Sequence, residues 1–598
     1  MNVAYPRNDK IIRRKFYQYL IPTVLMVLAM QFGSLADAIV IGNFLGDAAL
    51  SASSLALPAV FLVEIPAMMI GVGASIVGAN FIGKRMVKEA SQTFKLAMLL
   101  SFLFSLIFIP IGIFAGDEIA KLFAGQFQDL APMIAQYIKV FACQAPLLGV
   151  GITLAYFLSS DNNPNLGAAF FIIANIAHIG SEILFCLFLD PSLAMWGVAA
   201  STGIGMLAGM VVFIPYLKSK RRVVDMTVSM KGAFSLTPSL LRAGSSSGAL
   251  MVLSFAYFLI LNIAAINYLS DVEMPLYAML SNFSFVIDLF VLGILQIMPS
   301  VISSLFGEKD YFSIRSIVRR VFLITMGVTT ALTVISIAFP QLFFWMFGVD
   351  LGSNQQGMAG DPLAVVRIYC ISFLLYSVNK FFAYYYPSIM RNSPAMVANV
   401  VHSGLVGPVT IFFLMQAQSV MGYAYGSIIM EAATLLLTVG FILLGKKLGR
   451  FSGDGLLLLP KAEKNEQQIE LSIPAKTEEI SKIVEELQRY ALELGGDEKA
   501  AGLLALASEE IIANTMTYGF RRNAASQYID INLAKTETGL LVRIRDDGIA
   551  FDPTALAPGE EEEMRYNGIP VIRKVASEFK YLRLLNTNNT IMEIAIGK

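Results

Sequence analysis

Apolar positions fall into long unbroken runs as far as about residue 445, and from about 467 they settle into the shorter alternations of an ordinary α/β domain. A helix rises about 1.5 Å per residue, so roughly twenty apolar residues cross a hydrocarbon layer about 30 Å thick. The pattern predicts twelve such spans, near 17–42, 52–82, 94–115, 132–157, 165–189, 193–217, 239–268, 274–305, 315–339, 362–390, 395–416 and 420–445. Beyond a polar stretch, "LGRFSGDGLLLLPKAEKNEQQ", it predicts a strand (468–474), two helices (477–494, 497–518) and two strands (527–533, 540–546). A loop, a helix (568–578) and two more strands (580–586, 590–596) complete an α/β sandwich order.

Composition agrees with this division. Of 598 residues, 56% are hydrophobic and only 15% charged, more apolar than a soluble core requires. The net charge of zero averages two unlike parts and so says nothing about partners; no nucleic-acid partner is expected. Cys143, Cys186 and Cys370 sit singly in apolar segments, without the spacing of a disulfide framework or a zinc site. "NDKIIRRKFYQYL" leads straight into the first apolar run with no small-residue cleavage site, so it is expected to stay attached as the start of the first helix.

Basic residues recur in every second loop: Arg13 to Lys15, Lys84 to Lys88, Lys218 to Arg222, Arg315 to Arg320, and Lys446 to Arg450. Because lysine and arginine are retained on the cytoplasmic side, both chain ends are predicted to be cytoplasmic, with the protein in the cell membrane. The apolar region also repeats itself. Asp47 and Asp271, Glu64 and Asp288, Gly83 and Gly307, and Phe123 and Phe347 are each 224 positions apart; after "SNQQGMAG" the offset becomes 230, as for Pro164 and Pro394. Six helices restore the starting orientation, so the repeat is parallel and predicts two six-helix lobes, about 12–222 and 235–447.

The stretches "QFGSLADAIVIGNFLGDAALSASSLALP" (31–58), "GVGASIVGANFIGKRMVKEAS" (71–91) and "GILQIMPSVISSLFGEKD" (293–310) resemble the multidrug and toxic compound extrusion (MATE) transporters over about 12–447. The resemblance implies twelve helices in two lobes and export of small organic compounds driven by inward sodium or proton flow. Acids at membrane depth sharpen it, since they are costly unless they line a cavity, pair or bind an ion. Asp37 matches the family's first-helix acid, and "NIAHIGSE" places Asn175, His178 and Glu182 on one helical face, with Thr202 on the next helix. Such a set suits a dehydrated sodium ion through its oxygens, or proton exchange through Asp37, Glu182 and His178. The histidine, standing in place of an amide oxygen, favours protons. Alternatively Asn175 and His178 only bond neighbouring helices.

Glu64, Asp288, Lys380 and Glu431 are candidates to line a pathway for a cationic organic substrate. Lys380 would otherwise pair with Asp288 or Glu431 and fix the lobe. The aromatic run "FFAYYY" (381–386) reads as packing or lipid contact more readily than as a stacking surface for a flat cation.

From 468 to 598 the motifs resemble the GHKL ATPase superfamily, most closely its anti-sigma-factor serine kinases, with 448–467 as the linker. In "SEEIIANTMTYGF" Glu510 matches the acid four residues before the magnesium-binding asparagine, here Asn514. In "RDDGIAFDP" Asp546 and Gly548 match the D-x-G whose aspartate accepts from the adenine amino group. The resemblance therefore implies Mg–ATP as ligand, Glu510 as a general base, "PTALAPGEEEEMRYNG" as a mobile lid and Gly568 as the surviving glycine of the phosphate-binding box. The chain departs from the pattern at "RYNGIPVIRKV", where Pro570 removes a backbone donor, at the four glutamates 560–563, and at Tyr518, which replaces a common histidine. Adenine binding is favoured over phosphoryl transfer, and a degenerate fold without nucleotide is the alternative.

No G-x-x-x-x-G-K-S/T motif occurs, which argues against transport powered directly by ATP. Both histidines, His178 and His402, lie in predicted spans, which excludes a soluble phosphoacceptor histidine. The expected protein is thus a cation-coupled antiporter with a nucleotide-binding regulatory domain and a cytoplasmic protein partner for that domain. Two alternatives stay open: a membrane-tethered serine kinase with a transporter-like sensor, and a flippase for lipid-linked cargo.

Overall fold

Helices occupy residues 10–447, and a five-stranded antiparallel sheet with its covering helices follows from 468. The structure, a computed structural model, describes residues 5–596 apart from 46, 125–127, 191–192, 220–221, 271–272, 343, 345–360, 405, 461–467, 521–526 and 556–567. Two units separate. A helical unit comprises Tyr19–Lys309 and Val318–Leu458, and a sheet unit comprises Met1–Gln18, Asp310–Ile317 and Leu459–Lys598. The division is not the sequential one expected, because the N-terminal arm and an internal segment belong with the C-terminal domain.

In the helical unit, large apolar side chains such as Phe114, Leu122, Phe188 and Leu436 point outward, as they do toward lipid. Among the described residues nine helices are long and apolar enough to cross a membrane, or ten if the bent pair Gln128–Cys143 and Ala145–Ser160 is one span. That count does not reach the expected twelve. Two expected runs, 395–416 and 420–445, share the element Asn392–Lys447, which leaves helical geometry at Gln418 and Ser419. Gly407 lies against Met430 and Gly426 against Ile411, so this element folds back on itself as a pair of helices.

The aromatic run packs inward: Phe381, Phe382, Tyr385 and Tyr386 are all buried. Tyr385 and Tyr386 donate to the carbonyls of Leu457 and Leu456 at 2.7 and 2.8 Å. The first part of the expected linker is therefore ordered against the helix Pro362–Ser388. Four of the five rings of the run are thus held inside the protein.

The repeat is visible where its two copies meet. Gly83 ends the helix Asp47–Gly83 and Gly307 ends Ile297–Gly307, and a Cβ added to either would lie 3.0 Å from the other's Cα. The same Cβ atoms would also run into the carbonyls of Ser304 and Asn80. Only a residue without a side chain permits this backbone approach. Gly83→Ala and Gly307→Ala are each expected to lower the melting midpoint of the purified protein, an overpacking cost of about 1–3 kcal/mol. Gly327→Ala, where nothing lies within 4 Å of the new Cβ, is the control and is expected to be neutral or stabilising. Equal effects at all three positions would contradict the close approach.

The sheet unit follows the expected order. Strands β1 (Gln468–Pro474), β2 (Tyr528–Lys535), β3 (Gly539–Asp546), β4 (Glu578–Leu584) and β5 (Thr587–Ala595) pair antiparallel as β1-β2-β3-β5-β4. Alternation gives the sheet two faces. Ile469, Leu471, Ile531, Leu533, Val542 and Ile544 join the core under the helices Ile480–Glu493 and Glu498–Asn514. Asp497 caps the second helix, accepting from Ala500 N at 2.6 Å.

The opposite face is polar. Ser472, Asp530, Arg545 and Asn589 form one row across four strands, linked by Ser472 Oγ donating to Asp530 (2.6 Å) and Arg545 Nε donating to Asn589 Oδ1 (3.0 Å). The N-terminal arm covers the β1 edge, with Ser472 N donating to Tyr5 O at 3.2 Å and Asn8 N to Ser472 Oγ at 3.0 Å. Arg7 pairs with Asp530, and Arg545 with Asp310 at 2.8 Å, both members of the second pair being buried. Burial alone would lift the Asp310 carboxyl, but Arg545, Arg7 and Arg543 outweigh it and hold it well below the ordinary carboxylate range.

Candidate functional sites

Three clusters gather the expected residues. In the first lobe, helix Lys10–Leu45 carries Asp37, and helix Pro164–Phe188 carries His178 and Glu182 one turn apart. One ligand atom from each of the three lies within 4.8 Å of the others. His178 Nε2 is 3.3 Å from Asp37 Oδ1 and 3.4 Å from Thr202 Oγ1. Glu182 is fully buried, and among the described residues neither of its carboxylate oxygens nor Asp37 Oδ1 has a hydrogen-bond partner. Asn175 does not join them: its amide nitrogen donates to Ala29 O, and its oxygen lies against Gly33. It bonds a neighbouring helix instead.

The second-lobe set is only partly assembled. Tyr376 donates to Asp288, and Lys380 Nζ stands over the Tyr376 ring, 5.0 Å from its centre, rather than on either acid. Glu431 is buried, accepting from Asn379 Nδ2 at 2.7 Å and facing His402 Nε2 at 2.9 Å. His402 lies in a π-helical turn, Val400–Gly404, an insertion that re-aims a side chain. Sequence reading missed His402 as a site residue, and its distance of 29 positions from Glu431 left no local signal. Glu64 is half-buried on helix Asp47–Gly83, and among the described residues no hydrogen bond or ion pair ties it to this group.

The third cluster lies in the sheet unit. Asn514 ends the helix Glu498–Asn514, and its amide donates to Glu510 Oε1 at 2.7 Å, as the spacing of four requires. The helix then widens into a π turn, Thr515–Gly519, whose last carbonyl accepts from Ile549 N at 2.8 Å. That bond fastens the asparagine-bearing helix to the D-x-G loop. Asp546 is buried at the end of β3, where Oδ1 accepts from Gly548 N and Asn588 Nδ2, each at 2.8 Å. Burial pushes its carboxyl up to about 6, although both donors act against the shift.

Gly568 also reaches this site, since a Cβ there would land on the Glu510 carboxyl group. It leads into the short helix Ile569–Val575 with Pro570 in its first turn. Thus Glu510, Asn514, Asp546, Gly548 and Gly568, distant in sequence, converge on one end of the sheet. Of the expected lid, 556–567 lies outside the described residues, as do the glutamates 560–563. Magnesium fits the donor set in part, because the Asn514 oxygen is not used in its bond to Glu510.

Asn588 was not anticipated, yet it holds Asp546 and also donates to Ile549 O at 2.8 Å. Asn588→Leu is expected to leave Asp546 with a single donor and to destabilise the sheet unit by about 1–3 kcal/mol, the cost of stranding a buried acceptor. Thermal unfolding of the full-length protein, followed by hydrogen exchange of the strand peptides, reads this. An unchanged midpoint and unchanged exchange would argue against the role.

Comparison with known proteins places these clusters in context. The MatE family model matches residues 22–184 and 247–413, and the Histidine kinase-like ATPase domain model matches 473–594. Probable multidrug resistance protein YoeA of Bacillus subtilis (strain 168) is 23% identical over 257 residues, 42% of this chain and 55% of that protein. Probable multidrug resistance protein NorM of Caulobacter vibrioides (strain ATCC 19089 / CIP 103742 / CB 15) is 22% identical over 304 residues, 48% of this chain and 62% of that protein. The chain therefore spans rather more than half the length of these curated relatives. Among solved structures, that of the MATE multidrug transporter DinF-BH shares the fold with a TM-score of 0.65 at 16% identity, covering 76% of this chain and all of that one.

Proposed function

Because the chain belongs to the MatE family and carries a histidine kinase-like ATPase domain, we propose that it is a secondary exporter of organic cations, driven by protons and regulated by Mg–ATP. The observation that carries the transport reading is the unpartnered Glu182 carboxylate beside Asp37 and His178. A buried acid without a donor is costly, and an arriving proton or cation removes that cost. Protons suit the site better than sodium, because Asn175 turns its oxygen toward Gly33 and leaves few neutral oxygens to replace a hydration shell. Asp37 and Glu182 take up the coupling proton, His178 relays it and Thr202 orients the ring. Substrate passes beside Glu64, Asp288, Lys380 and Glu431, with Lys380 held over Tyr376. Basic loops on one side support a cell-membrane protein with both ends cytoplasmic.

Reconstituted protein should export ethidium, a flat organic cation, under an imposed pH gradient and much less under a sodium gradient. Asp37→Asn and Glu182→Gln are each expected to abolish gradient-driven efflux without loss of folded protein. Undiminished efflux in both variants removes the first-lobe site from the mechanism, and efflux under sodium alone replaces the proton by sodium.

In the sheet unit, Asp546 accepts from the adenine amino group, Asn514 offers its oxygen to magnesium, and Gly548 and Gly568 keep the backbone close to the ligand. Magnesium supplies charge neutralisation of the phosphates when bound. Regulation is favoured over kinase activity, since Glu510 is engaged by the Asn514 amide and sits against Gly568. Binding requires the ionised form of Asp546, so affinity for Mg–ATP is expected to be full at neutral pH and to fall as pH drops through about 6. Asp546→Asn should weaken binding at neutral pH and flatten that dependence. Equilibrium binding to the full-length protein from pH 5 to 8 checks both; no binding at any pH would leave the domain a nucleotide-free adaptor.

A further inference from the structure

The end of β3 reads Arg545-Asp546-Asp547, and each of these consecutive residues has a different partner. Arg545 points to the polar face of the sheet and pairs with Asp310 at 2.8 Å, both buried. Asp546 points to the other face, into the candidate adenine site. Asp547, whose side chain is almost entirely buried, pairs through Oδ2 with Arg14 at 2.7 Å, while its Oδ1 has no hydrogen bond among the described residues.

The two outer partners are not ordinary domain residues. Arg14 lies in the first turns of helix Lys10–Leu45, the helix that carries Asp37. Asp310 begins helix Tyr311–Ala338, accepting from Ser313 N at 3.1 Å and Ser313 Oγ at 2.9 Å. Each helix starts in the sheet unit, and its later residues belong to the helical unit. One helix comes from the first repeat, the other from the second. Asp546 is thus flanked, one peptide bond on either side, by residues paired with the start of each of these helices, inside the sheet unit.

We propose that Arg545-Asp546-Asp547 is a coupling element, through which occupation of the nucleotide site is passed to the first turns of helix Lys10–Leu45 and of helix Tyr311–Ala338. The proposal rests on the nucleotide reading of Asp546. Its physical basis is short range: consecutive residues of a strand cannot move independently, so adenine drawing on Asp546 re-aims Arg545 and Asp547 together. The ion pairs then transmit the shift because a buried charge follows its partner rather than leave it unpaired. By linkage, a change in either helix must in turn alter nucleotide affinity.

Hydrogen–deuterium exchange of the full-length protein in lipid nanodiscs, with and without Mg–ATP, tests the proposal without knowledge of the cargo. Mg–ATP is expected to slow exchange at 510–519 and 546–549 and also at 7–18 and 310–317, about five-fold or more at each. In Arg14→Gln, whose side chain is half-exposed, the response at 7–18 should vanish and that at 310–317 persist. Protection confined to 510–519 and 546–549, or an Arg14→Gln response at 7–18 equal to wild type, overturns the coupling element while leaving the nucleotide site standing. Wild-type protein that neither binds Mg–ATP nor changes its exchange anywhere overturns the nucleotide reading, and the coupling with it.

Discussion

A charge taken out of water must find an opposite charge or a full set of hydrogen bonds, and this constraint organises both units. Asp310 meets it with Arg545 and the two Ser313 donors. Asp161, buried between helices of the first lobe, meets it with the Tyr216 hydroxyl at 2.6 Å and Val223 N at 2.8 Å. Glu431 meets it with Asn379 and His402. Glu182 does not: its two oxygens have no donor among the described residues, although Asp37 and His178 stand within reach. Of these four acids Glu182 alone is left without a donor, and that is the observation on which the proposed ion-coupling site rests.

The same logic separates the two lobes despite their common ancestry in sequence. In the first lobe Glu182 and Asp37 Oδ1 lack a hydrogen-bond partner among the described residues, while in the second lobe Asp288 is bonded to Tyr376 and Glu431 to Asn379 and His402. The repeated frame thus carries two different arrangements of acids. What the copies retain in common is backbone geometry, most plainly at Gly83 and Gly307, where identical residues face one another across the repeat. Glycine stands at both positions, where only backbone fits.

Features set by local spacing were legible in the sequence. The alternation of β1 to β5, the helices between them and the four-residue step from Glu510 to Asn514 all follow from short-range periodicity, and the structure carries them within a few residues. So did the stacking of His178 and Glu182 on one face. The span count was less legible, because Gln418 and Ser419 turn inside one continuous element and the pair around Gln144 bends rather than stops. Asn175 illustrates another limit: it has the right face and turn, but its rotamer carries the amide to Ala29 on a neighbouring helix. Spacing fixes a face, while packing decides the direction.

Least legible was the composition of the sheet unit, which draws on residues 5–18, 310–317 and 468–596. Arg13 to Lys15 carries a topology signal that needs no partner, so nothing local marks Arg14 as the counter-ion of Asp547, 533 positions away. The two roles are compatible. Arg14 and Asp547 fall in one unit, and segments joined on one chain are at high effective concentration for each other, so contacts too weak to hold separate proteins suffice here. Within the helical unit, Tyr385 and Tyr386 fix the carbonyls of Leu457 and Leu456 near its C-terminal end. Covalent linkage thus explains how a half-exposed ion pair such as Arg14 with Asp547 can persist, while the buried pair of Arg545 with Asp310 supplies the specificity that linkage alone lacks.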